Sequence, residues 1–225
     1  MGPGGAGSYS VGNAFSWAFS KFGRHWAPLV LVTLVLLLGS AIVQGIQRVV
    51  VSSSDPSDGL SAGFFGVAMI VSLVFSALSW AVQLIVQSVI VKGSLDVTRG
   101  RPLDIGSATN GINWGQVIIA SLIIGVMTFI GLLLCILPGI AVIFFTFFTL
   151  FFVIDRGEDA VTAIKSSFTM VKNNAGVLLL FFLAQIALIV DGFCLLLVGL
   201  LVAIPVTVLA QAYTFRVLNG EQVAA

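Results

Sequence analysis

The sequence predicts an all-α polytopic membrane protein with six transmembrane helices, short interfacial amphipathic helices and three parallel repeats. Three observations point there. Of 225 residues, 59% are hydrophobic and only 8% are charged, against roughly 25% charged in an average soluble domain. A soluble fold of this size could not cover so much apolar surface. Fifty consecutive residues between Asp104 and Asp155 carry no charge. A helix needs about 20 apolar residues to cross the hydrocarbon core, so Trp114 to Ile154 is long enough for two crossings. The basic residues, finally, gather on one side of any six-helix threading.

The elements follow in order. Residues 1–10 read as a flexible Gly-rich tail. Val11, Ala14, Phe15, Ala18, Phe19 and Phe22 recur at i, i+3, i+4 spacing and predict an amphipathic helix. The first apolar run is Trp26 to Gln47, and the polar link Ser52 to Gly59 follows it. The second run is about Phe64 to Val91. The polar segment Lys92 to Asn113 leads into the third and fourth runs, Trp114 to Leu137 and Ile140 to Ile154, with an outer turn expected at Pro138-Gly139. Val161, Ile164, Phe168 and Val171 predict a second amphipathic helix, and Asp155, Glu158 and Asp159 read as carboxylates capping its start. The fifth and sixth runs are Ala175 to Val198 and Leu200 to Phe215, with a turn expected near Gly199. Residues 11–220 form one transmembrane domain in this reading, and 221–225 a C-terminal tail. The amphipathic helices suit a membrane interface, apolar face toward the lipid.

Orientation follows from the basic residues. With the N-terminus in the cytoplasm, Lys21, Arg24, Lys92, Arg99, Arg101, Arg156, Lys165, Lys172 and Arg216 fall inside, and Arg48 alone falls outside. Both termini are therefore expected to face the cytoplasm. An offset of 61 places Gly131 on Gly192, Pro138 on Gly199 and Thr146 on Thr207; an offset of 149 places Phe19 on Phe168. The unit is an interfacial helix followed by a membrane hairpin, present three times in the same sense. The leading helix of the middle copy is weakened by Gly106 and Gly111.

Catalysis needs groups that exchange protons, attack or hold metal. The chain has one histidine, His25, beside Trp26 at a membrane entry, where an anchoring role fits better than a chemical one. Its two cysteines, Cys135 and Cys194, lie in apolar runs without metal-ligand spacing. Paired acids and nucleophile motifs are missing from the sequence. No enzyme activity, cofactor or metal is expected, and no nucleic-acid partner.

Polar residues line up along the helices instead. Ser72, Ser76, Ser79, Gln83 and Gln87 run down one face of the second span. Ser40, Gln44 and Gln47 do so on the first, Ser121, Gly125 and Thr128 on the third, and Thr207, Gln211 and Thr214 on the sixth. Such stripes serve either as packing seams between helices in lipid or as a polar path for a headgroup or small solute. Asp191 is a charge inside the fifth run and either a functional candidate on that ground or, with Gly192, the turn itself, meeting water; Arg48, at the outer end of the first span, is a candidate partner for it.

The run Gly131-Leu-Leu-Leu-Cys-Ile-Leu-Pro-Gly-Ile140 continues through a Phe-rich helix into Phe152-Val-Ile-Asp-Arg-Gly157, Ala163-Ile-Lys-Ser-Ser167 and Met170-Val-Lys-Asn-Asn174. Over residues 105–220 this resembles a broad family of bacterial integral membrane proteins of unknown function. That family includes the membrane domain fused to some glycerophosphodiester phosphodiesterases. The Gly/Pro-rich start is similar to actinobacterial members. The resemblance implies a six-helix bundle and no settled activity; the phosphodiesterase domain itself has no counterpart in this sequence. The expectation is a non-catalytic cell-envelope protein with a scaffold, assembly or regulatory role, in contact with membrane lipids and other membrane proteins. A carrier or flippase for a lipid or small amphiphile is the alternative.

Overall fold

Helices account for every regular element among the described residues, which in this computed structural model are 9–24, 26–52, 61–101, 109–194 and 196–224. They are α1 (Val11–Arg24), α2 (Trp26–Ser52), α3 (Ser61–Thr98), α4 (Trp114–Leu134), α5 (Ile136–Phe145), α6 (Thr149–Arg156), α7 (Ala160–Asn173), α8 (Ala175–Cys194) and α9 (Leu196–Leu218). Six stretches are long and apolar enough to cross a bilayer: Trp26–Ile46, Met69–Thr98, Trp114–Leu134, Ile136–Arg156, Ala175–Cys194 and Gly199–Leu218. The six expected spans are therefore present, the fourth being α5 and α6 together. The leading helix expected around Gly106, the polar link at 53–60 and His25 lie outside the described residues.

α9 is the hub. α1, α2, α3 and α8 all pack against it, while α4 and α5 form a separate hairpin that joins the rest through α6 and α7. Exposure divides the molecule in two. Along α3, Met69, Leu73, Val74, Leu78 and Ile85 are exposed, yet Val89, Ile90, Val91, Leu95 and Val97 are buried. At 1.5 Å per residue the 38 residues of α3 reach about 57 Å, far beyond a hydrocarbon core of about 30 Å. The exposed part suits lipid, and the buried part belongs to a packed base formed with α1, α6, α7 and the end of α9. This base lies at the end of the bundle where α1 and the C-terminal residues meet: the Trp17 indole Nε1–H donates to the Ala224 carbonyl at 3.0 Å.

The base is filled by phenylalanine. Phe148, Phe151 and Phe215 are fully buried, with Phe151 and Phe215 ring centroids 5.6 Å apart. Phe147 carries the contact on to Phe181, and Phe181 to Phe15 of α1. Offset and edge-on ring pairs of this kind add about 0.5–1.5 kcal/mol each to simple burial.

The tips of the two hairpins differ from expectation. The break between α4 and α5 falls at Cys135, a single extended residue (φ −174°, ψ 156°), and not at Pro138-Gly139. Pro138 sits in the first turn of α5, where its missing N–H removes no intrahelical bond. Gly139 is instead a contact point: a Cβ on Gly131 would lie 2.9 Å from the Gly139 Cα. The second hairpin is pinched in the same way. A Cβ on Gly199 would lie 2.7 Å from the Gly192 Cα, and Gly199 is within α9 rather than in a turn. Asp191 and Gly192 are likewise helical.

On α7 the residues expected to form one apolar face fall on two sides. Ala160, Ala163, Met170 and Val171 are buried, whereas Val161 and Phe168 are exposed. Its face toward the protein is thus lined largely by small residues, because α7 lies closely against α6. Asp159 is its N-cap, accepting from the Val161 and Thr162 amides at 3.1 Å each. A hydrogen bond from the Thr162 side chain, followed by these amide bonds, holds the Asp159 carboxyl below its usual range. Asp155, expected to cap as well, does something else.

Candidate binding groove between the helices

Between α3 and the α4–α5 hairpin the packing opens. α3 leans on α2, α9 and α6 and touches α4 only lightly. The resulting cavity, of about 510 Å³, is lined by Trp80, Gln83, Leu84 and Gln87 of α3, Ser121, Ile124 and Gly125 of α4, and Ile143, Thr146, Phe147 and Leu150. Periodicity explains the α3 contribution: 80, 83, 84 and 87 share one helical face. Gly125 contributes an empty wall, with nothing within 4 Å of where its Cβ would be.

The far wall contains the break between α5 and α6. Residues 146–148 leave the helix, which inside a membrane span exposes backbone groups that need partners. Ser167 of α7 supplies them. Its Oγ accepts from the Phe148 amide at 3.1 Å and donates to the Phe145 carbonyl at 2.8 Å. Thr146 turns its own hydroxyl back to the Val142 carbonyl at 2.7 Å. A stable break brings Thr146 and Phe147 to the groove.

The lining offers two exposed amides, two hydroxyls and an indole, and no charged side chain. It suits an uncharged hydrogen-bonding group such as an ester, hydroxyl or amide, with apolar surface around it. Binding clefts commonly combine an apolar wall with a few placed polar groups at about 300–1,000 Å³.

The two long stripes therefore have different surroundings. Gln83 and Gln87 line the groove beside Ser121. Gln211 is used in a seam: its Nε2 donates to Gln185 Oε1 at 3.0 Å, and Gln185 in turn donates to the Thr207 carbonyl at 3.4 Å. Ser79 donates to the Phe75 carbonyl at 2.9 Å. Ser76 is exposed and Ser72 half-buried, both on the face of α3 beyond Trp80. Gln44 is exposed on α2. Arg48 and Asp191 are also exposed, and among the described residues no ion pair joins them.

Sequence reasoning missed a charge network at the base. Asp155, at the end of α6, meets Arg216 of α9 at 2.5 Å and Arg99 at 2.8 Å. Arg216 also pairs with Glu221 and donates to the Thr98 hydroxyl at 3.3 Å. Thr98 closes the ring by accepting the Ala224 amide on its carbonyl at 2.9 Å. Nearby, Tyr9 shares a 2.8 Å hydrogen bond with Thr214, and burial pushes its phenol up to about 12. Glu221 and Ala224, read from sequence as part of a tail, are thus tied to the base. The signal for Asp155 was its place beside an apolar run that ends in Arg156-Gly157; its partner lies 61 positions away and has no local pattern.

Among curated proteins the chain is similar to Uncharacterized protein Mb2590 of Mycobacterium bovis and Uncharacterized protein Rv2560 of Mycobacterium tuberculosis. Each is 33% identical over 229 residues, covering 96% of this chain and 70% of the relative. The chain belongs to that family. Its members' names state no activity, so the family establishes kinship without function. No protein-family model matches the chain, and no solved structure does.

Proposed function

We propose that this mycobacterial-type family member is a non-catalytic, multi-pass protein of the bacterial plasma membrane. In this reading it lodges the polar part of a lipid-like amphiphile in the groove, in a scaffold, assembly or regulatory role in the cell envelope. The carrying observation is that Gln83, Gln87 and Ser121 converge on one uncharged cavity between lipid-length helices. A second reading, a carrier, is favoured by the stripe's continuation through Ser79, Ser76 and Ser72. The groove lining ends at Trp80, which supports holding over passage. Kinship with the membrane domain of glycerophosphodiester phosphodiesterases rests on the sequence motifs from Gly131 to Asn174.

Gln83→Leu combined with Gln87→Leu tests both readings. Native mass spectrometry of the purified protein should show co-purifying lipid lost from the double variant. Unchanged retention would remove the groove as a binding site. In proteoliposomes, lipid movement that is present in the wild type and absent in the variant would instead select the carrier.

The proposed orientation places both termini and the packed base in the cytoplasm, on the strength of nine basic residues against one. Cys135 and Cys194 are exposed and would first be replaced by serine. Ser54→Cys should then label from outside intact cells and Ser166→Cys should not; the reverse result overturns the topology. The three-copy repeat belongs to the same proposal. It is supported by the glycine contact near each described hairpin tip and by the exposed Phe19 and Phe168 on its leading helices.

A further inference from the structure

A second cavity, of about 430 Å³, opens at the base between α6, α7 and the end of α9, away from the groove. Its lining contains Arg156, Lys165, Ser166 and Asn173, and no carboxylate. Lys165, Thr169 and Asn173 follow one another at i+4 steps along one side of α7, with Ser166 beside them at i+7 from Asn173. This is neither the buried face of Ala163 and Met170 nor the apolar exposed face of Val161 and Phe168. α7 is thus three-sided, and its polar side looks into the cavity.

Arg156 approaches from the opposite wall in a fixed pose. Its guanidinium lies 5.2 Å from the Phe152 ring centroid and 3.5 Å from Glu221. Glu221 is itself closely engaged with Arg216, so it neutralises Arg156 only in part. One contact also leaves most of the five guanidinium donors unused. Two cations, a hydroxyl and an amide around a small cavity are suited to a compact anion with several acceptor oxygens. Neighbouring hydroxyls are otherwise spent: Thr169 donates to the Lys165 carbonyl at 2.8 Å, and Thr162 bonds Asp159. Ser166 is left as the available hydroxyl donor.

We infer that this basal cavity binds a phosphate group, held between Arg156 and Lys165 and completed by Ser166 and Asn173. The chemistry is the same for an anionic lipid headgroup reaching in from the adjoining leaflet and for a soluble phosphate ester. The inference is independent of the groove, which carries no charge.

The test uses full-length protein in detergent micelles. In native mass spectrometry, the wild type should retain phosphatidylglycerol in preference to phosphatidylcholine. Lys165→Gln should weaken that retention about tenfold, the loss expected for one charge-assisted hydrogen bond. Lys165→Arg should restore it. Lys172→Gln makes the same change in net charge on the same helix at an exposed residue outside the cavity lining, and should have no effect. In the second arm, glycerol 3-phosphate should raise the thermal unfolding midpoint of the wild type but not of Lys165→Gln if the source is soluble. A lipid response alone identifies a headgroup site, and either response supports the phosphate site. The inference fails if neither probe discriminates, or if Lys172→Gln reduces retention as much as Lys165→Gln.

Discussion

Ser167 shows how much one hydroxyl can decide. Its oxygen serves the Phe148 amide and the Phe145 carbonyl at once, both freed by a break among apolar residues. Ser167→Ala would leave both unpaired in a place water reaches poorly. Leaving a buried group unsatisfied costs about 1–3 kcal/mol. SDS titration of the micellar protein should therefore show a loss of that order, and an unaltered midpoint would mean that the break finds another partner. The sequence placed Ser167 on a helix but did not identify the break it serves. The stripes were more legible. Their spacing located Gln83, Gln87 and Gln211 on helix faces, whereas what opposes each face depends on distant packing. Gln211 meets Gln185 across a seam, and Gln83 meets the space that Gly125 leaves open.

At the level of elements, the hairpins depend on glycines that touch. Gly199→Ala would drive a Cβ into the Gly192 backbone, and overpacking of this kind typically costs about 1–3 kcal/mol. Gly176→Ala, at a position with open space around it, should be neutral or slightly stabilising, since alanine is favoured over glycine in helices by about 1 kcal/mol. Equal midpoints for the two variants under SDS titration would show that the tips tolerate separation. Six candidate spans and the helices α1 and α7 could be read from apolar runs and their period. The turns could not be placed, because Pro-Gly reads as a breaker whether it forms the turn or opens the returning helix. Pro138 does the latter. Matching Gly131 with Gly192 by offset did find both contact residues, though not what they contact.

Across the whole molecule, the base is locked by charges drawn from the ends of α3, α6 and α9. The Asp155 and Arg216 side chains are 4% and 5% exposed, so Asp155→Asn removes the more buried of the two carboxylates that neutralise the Arg216 guanidinium and leaves Glu221. Leaving a buried charge wholly uncompensated costs about 3–5 kcal/mol, and with Glu221 still in place Asp155→Asn should fall below that range. Arg99, whose side chain is 42% exposed, should matter far less: Arg99→Gln is expected to cost at most about 1 kcal/mol. Limited proteolysis and SDS titration should rank the two variants in that order, and a reversed ranking would contradict the lock. Composition and charge bias made the multispan class readable from sequence. The lock was not, because ion pairs between helix ends follow no period.

The position of the hub along the chain has a consequence for biogenesis. α9 follows α1, α2, α3 and α8, the four helices that pack on it. A ribosome therefore delivers every one of those helices to the membrane before the element that gathers them exists. The lipid-length apolar runs of α2, α3 and α8 let these three reside in the bilayer meanwhile, but the aromatic base cannot close without Phe215, nor the ion lock without Arg216. Closure of the base around α9 is thus a late event, although the α2–α3, α4–α5 and α6–α7 contacts need no residue of α9. An insertion factor acting on it would have to shelter the unfinished base until translation has passed α9.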